Sequence, residues 1–186
     1  MCIRDSGTTA GASFDIGSGF TAAVGYEGDG DSTNGLLTKE GLDAYGGQLS
    51  YTADSYGTSV TYALIEGASA TDTTYWGLNG YWTPSESGSM PSISVGYEMG
   101  DPEASGAEDT THYFVGIQWD EAGPGTFGAA LGTTEHTAES ATEYLMYEAF
   151  YSYPVNDGMT VTPVVYIKET AGDDQTGIMV KTSFSF

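Results

Sequence analysis

The sequence reads as an all-β chain: an antiparallel up-and-down transmembrane β-barrel, of which about eleven strands are visible. Three features point there. Short stretches alternate apolar and polar residues with a period of two, from Ala12 to the terminal Phe186. Clusters of Gly, Pro, Asn and Asp break them at short, regular spacing. The connections also alternate in kind, short on one rim and mostly longer, polar and acidic on the other. Membrane barrels sort their loops this way, and a soluble sandwich has no reason to.

The opening residues MCIRDS resemble the translation of an adapter used in sequencing libraries, so residues 1–6 are set apart from the fold. Cys2 and Arg4 go with them, which leaves Lys39, Lys168 and Lys181 as cations. Residues 7–186 read as the C-terminal part of one barrel domain whose true start lies upstream.

In order, Ala12, Phe14 and Ile16 form one apolar stripe, and Gly17-Ser18-Gly19 turns the chain into Phe20, Ala22, Val24 and Tyr26. A polar loop, Gly28 to Glu40, precedes Tyr45, Gly47, Leu49 and Tyr51. The turn Asp54 to Gly57 leads to Val60, Tyr62 and Leu64. After the loop Gly67 to Asp72, Trp76, Leu78 and Trp82 share a face, and the turn Pro84 to Pro91 leads to Ile93, Val95, Tyr97 and Met99. The acidic loop Asp101 to Asp109 precedes Tyr113, Val115, Ile117 and Trp119. Gly123-Pro124-Gly125 then turns into Phe127, Ala129 and Leu131. The loop Glu135 to Ala141 opens on Leu145, Tyr147, Ala149, Tyr151 and Tyr153, and Asn156-Asp157-Gly158 is a hairpin signal. Met159, Val161, Val165 and Ile167 follow, and Gly172-Asp173-Asp174 leads into the last strand, QTGIMVKTSFSF.

Composition narrows the function. Gly 27, Tyr 14 and 13% aromatics favour strands and turns over helices. Lys+Arg 4 against Asp+Glu 26 gives a net charge of -22, which argues against nucleic acid as a partner. The regular aromatics argue against acidic disorder. No apolar run of about 18 residues marks a membrane helix, but a barrel strand needs only about 9–11 with every second one apolar.

The terminal strand carries its aromatic as the last residue, and in this it resembles the last strand of bacterial outer-membrane barrels. The stretches GLLTKEGLDAYGGQLSYTADSYGTSVTYAL and NDGMTVTPVVYIKETAGDDQTGIMVKTSFSF resemble cyanobacterial outer-membrane porins of the OprB-like carbohydrate, or iron uptake, family. That resemblance implies an outer-membrane channel for passive diffusion of small hydrophilic solutes and inorganic ions. It also implies outer-membrane lipid as a partner, insertion by the barrel-assembly machinery through the C-terminal strand, and the homotrimer common among porins of this size. Such porins tether to peptidoglycan through a preceding S-layer-homology domain, and no such segment is present in this sequence. An odd strand count agrees with a larger barrel of about 16–18 strands. A secreted or surface-exposed soluble all-β adhesin is the alternative, and it would need the Tyr/Trp stripe buried in protein.

Two sets of residues carry the expected function. Tyr26, Trp76, Trp82, Tyr97, Trp119, Tyr151, Tyr153 and Phe186, read near strand ends on the apolar face, would form the aromatic girdle at the headgroup level. Asp15, Glu98, Asp120 and Glu148, with Lys168 and Lys181, fall on the polar face and would line the pore. The acids there would favour cations. An enzyme is not expected, since no Ser/His/Asp set, P-loop or Cys site occurs. The two histidines, His112 and His136, lie in different segments and read as solvated polar residues. Neither a cofactor nor a dedicated metal site is expected.

Overall fold

A computed structural model describes residues 8–28, 43–67, 71–84 and 90–185. The first half holds β1 (Thr8–Gly17), β2 (Phe20–Gly28), β3 (Ala44–Thr52), β4 (Tyr56–Ile65), β5 (Thr73–Trp82) and β6 (Ser92–Pro102). The second holds β7 (Thr110–Ala122), β8 (Gly125–Thr133), β9 (Thr137–Ala138), β10 (Leu145–Asn156), β11 (Met159–Lys168) and β12 (Gln175–Phe184). All belong to one antiparallel sheet in sequence order, except the two-residue β9, which pairs with β7. The sheet is not closed: among the described residues β1 pairs only with β2, and β12 only with β11. Leaving β9 aside, the strands run from 9 to 13 residues, enough to cross a bilayer's hydrocarbon when tilted.

The connections sort onto two rims as expected. Residues 18–19, 53–55, 83–84 with 90–91, 123–124 and 157–158 lie on one, and 66–67 with 71–72, 103–109, 134–144 and 169–174 on the other. Of the loop Gly28 to Glu40, only Gly28 lies within the described residues. The first turn needs its glycines: φ is 91° at Gly17, 54° at Ser18 and 85° at Gly19, a left-handed run that L side chains resist. Asp15 Oδ1 holds the turn by accepting the Gly17 N–H at 2.8 Å.

Register carries the period of two across the whole sheet. Val24 faces Gly47, Gly47 faces Tyr62, Tyr62 faces Trp76, and Trp76 faces Met99. Further on, Val115 faces Leu131, Leu131 faces Tyr147, Tyr147 faces Ile167, and Ile167 faces Thr176. Directly opposed residues share a face, so the stripes of separate strands merge into one apolar surface. No second layer covers it among the described residues: Leu78 is 54% exposed, Ile178 is 77% exposed, and Val164 alone is a buried hydrophobic residue.

The opposite face is built of glycines under rings. An added Cβ at Gly57 would overlap the Tyr81 ring. At Gly96 it would overlap Phe114, at Gly128 Phe150, and at Gly177 Tyr166. In each pair the glycine stands directly opposite its aromatic on the neighbouring strand. A ring can lie down on the sheet only where its neighbour has no side chain.

Three expectations change. β6 runs on through Asp101 and Pro102, which the sequence had assigned to a loop. That extension leaves Tyr97 in mid-strand, and Trp76 likewise lies inside β5 rather than at its end. The loop Glu135 to Ala141 contains β9, whose two residues are too few for periodicity to register.

Replacing Gly128 by Val should destabilise the folded protein by about 1–3 kcal/mol, because the Phe150 ring must be displaced. Gly25→Ala meets open space and should change stability by less than about 1 kcal/mol. Urea midpoints in detergent, followed by Trp fluorescence, compare the two.

Candidate functional site

The polar face holds all six expected charged residues but does not gather them. Asp15 sits at the first short turn, where its carboxylate is occupied by the Gly17 amide. Asp120, near the same rim, accepts a 2.7 Å hydrogen bond from Gln118 Nε2. Glu148 lies within β10 opposite Ala130 and Tyr166. Lys168 ends β11 at the long-loop rim opposite Met146 and Gln175, and Lys181 lies on β12 opposite Thr162. Glu98 stands within β6 between Gly77 and His112.

The seven expected aromatics among the described residues fall on the apolar face, and they make two bands. Toward the short-turn rim, Phe20 meets Tyr51 at 4.8 Å and Tyr51 meets Tyr56 at 5.9 Å between ring centroids. Trp119 meets Phe127 at 6.0 Å, and Tyr151 meets Tyr153 at 6.5 Å. Tyr151 also donates its hydroxyl to the Ala122 carbonyl at 2.8 Å, which fixes the ring beside the turn. Trp82 stands opposite Tyr56 on this band. Toward the long-loop rim, Tyr26 meets Tyr45 at 5.4 Å, Tyr62 meets Trp76 at 4.8 Å, and Tyr97 faces Tyr113. Phe186 lies outside the described residues.

Sequence reasoning missed a cluster around the two histidines. A regular ladder continuing from Gly132 opposite Phe114 would set residue 135 against Thr111, yet Thr137 stands there. The surplus bulges out between β8 and β9 and carries His136 across β7. There His136 Nε2 lies 2.6 Å from Glu98 Oε1, a contact that is an ion pair when the imidazole is protonated. The His136 ring stacks on His112 at 5.4 Å and meets Tyr75 edge-on at 5.3 Å. His112 Nδ1 is 2.6 Å from the Thr133 hydroxyl. Neither histidine is therefore simply a solvated side chain, and only the bulge, which no sequence period announces, joins them. Imidazoles stacked face to face cannot converge on one metal ion, and no three His, Cys, Asp or Glu among the described residues are placed to hold one.

A second tie holds the same connection from the neighbouring loop. The Ser140 N–H donates to Glu108 Oε2 at 2.9 Å. The Ser140 hydroxyl, and after it this backbone N–H, keep the Glu108 carboxyl below its ordinary value.

A family model described as Gram-negative porin matches residues 3–175. No curated protein and no solved structure matches the chain.

Because the folded state lowers the Glu108 value, this tie contributes fully above the pH at which a free glutamate ionises, about 4.3. It is lost as pH falls through the lower folded value. The protection factor of the Ser140 amide should hold down to that range and then drop, while Glu108→Gln should lower it at neutral pH. Hydrogen exchange measures both.

Proposed function

The chain belongs to the Gram-negative porin family, and from this premise we propose that its polar face lines a water-filled outer-membrane channel that favours cations. The observation that carries the reading is one sheet with an apolar face that no described residue covers and an opposite face of Gly, Ser, Thr, Asn, Gln and acids, with rings only where they lie over glycines. The first suits lipid and the second suits water. The short-turn rim is the periplasmic side and the long acidic loops face outward. The short-turn band sits at the periplasmic headgroup level and Tyr26 with Tyr45 near the outer one, while Trp76 and Tyr97 lie deeper along their strands. An open sheet leaves edge strands with unpaired backbone groups, which lipid cannot satisfy. On this reading the ladder belongs to a closed barrel, in the porin range of about 16–18 strands.

Glu98, Asp120 and Glu148 set a negative potential along the wall, and low-dielectric walls focus it. Lys168 and Lys181 oppose it locally on the last two strands. Within the family, the stretches Gly35–Leu64 and Asn156–Phe186 support placement beside the OprB-like carbohydrate and iron uptake porins of cyanobacteria. The same placement supports a homotrimer and assembly through the C-terminal strand.

In planar bilayers under a KCl gradient, the reversal potential should take the sign of a potassium-preferring channel, and Glu148→Gln should move it toward zero. A chloride-preferring potential would overturn the cation reading.

A further inference from the structure

The wall around Glu148 combines two features that an inorganic ion would not use together. On β10, Phe150 follows Glu148 by two residues and so shares its face; its ring lies over Gly128 on β8. Across β11, Tyr166 stands directly opposite Glu148, with its ring over Gly177 on β12. Each ring lies against a glycine and is half-buried, so part of it remains accessible from the polar side. From Glu148 the row continues through Ala130, Gly116 and Ser94 to Tyr81, all small until the last. On the far side of Phe150 this floor borders a groove of about 300 Å³ lined by Tyr81, Ser94, Gly116, Gln118, Ala130 and Phe150, with Glu148 and Tyr166 just outside its lining.

The Glu148 carboxylate is half-buried and takes no hydrogen bond or ion pair from another described residue. Lys168, on β11 beyond Tyr166, makes no ion pair with it, and Asp120 is engaged by Gln118. An unpaired carboxylate attracts any cation. A small hydrated metal ion gains little from the rings, which present flat hydrocarbon and a negative quadrupole. A weakly hydrated cation carrying C–H or aryl surface gains from both.

We propose that Glu148, Phe150 and Tyr166 form a binding subsite for organic ammonium cations on the channel wall. The proposal rests on the cation-favouring reading above and adds the class of solute that the wall retains.

The probe is phenyltrimethylammonium chloride, titrated against the single-channel KCl current of the reconstituted protein, with glucose at equal concentrations as the uncharged comparison. Wild type should be blocked by the ammonium ion and not by glucose. The half-blocking concentration should rise about 2–5-fold in Phe150→Ala, rise by at least as much in Glu148→Gln, and stay near wild type in Phe150→Tyr. Conductance in KCl alone shows that each variant has formed a channel. Equal block by glucose, or half-blocking concentrations unchanged in both Phe150→Ala and Glu148→Gln, would overturn the subsite. Potassium preference without ammonium block overturns the subsite alone, whereas chloride preference removes the reading beneath it as well.

Discussion

Backbone hydrogen bonding in a medium without water is the constraint on which the rest of this structure depends. Inside hydrocarbon every N–H and C=O must find a protein partner, and a β-chain finds them only on neighbouring strands. The pairing then fixes register, and register fixes which side chains face which solvent. A slip of one residue in β4 would send Val60 and Tyr62 to the wet side and Ser59 and Thr61 to the lipid side. The ladders from β1 to β12 avoid such a conflict, because each strand's apolar set meets the apolar set of the next.

Glycine has a particular meaning on the polar side of such a sheet. In a globular core Gly96 or Gly128 would be a gap to fill; here Phe114 or Phe150 occupies the space that the missing side chain leaves. The result keeps the wall low, so a water-filled space survives above it, and still shields the backbone at a position where glycine weakens a strand. The same arrangement leaves partly exposed aromatic rings on the polar face.

Much of this was legible in the sequence because it rests on local period and turn chemistry. Asn156-Asp157-Gly158 and Gly17-Ser18-Gly19 announce their hairpins, and the alternation through β10 and β11 assigns Glu148 and Lys168 to the polar face before any pairing is known. Cross-strand detail was not legible. Nothing in the spacing says that Gly128 lies opposite Phe150, because two strands fix their relative register only when they pair. The meeting of His136 with Glu98 depends on surplus residues between β8 and β9, which break the period from which the rest was read. Tyr97 moved from strand end to mid-strand for a similar reason: Asp101 and Pro102 look like a loop, yet they pair with Thr74 and Thr73.

The central claim is that alternate residues of one strand face different solvents. Nitroxide labels placed singly at Ser59, Val60, Thr61 and Tyr62 of the protein in lipid vesicles test it most directly, by their collision rates with oxygen and with a water-soluble nickel chelate. Labels at 60 and 62 should favour oxygen and labels at 59 and 61 the chelate, alternating residue by residue. Chelate access at all four positions, or oxygen preference at 59 and 61, would contradict the account.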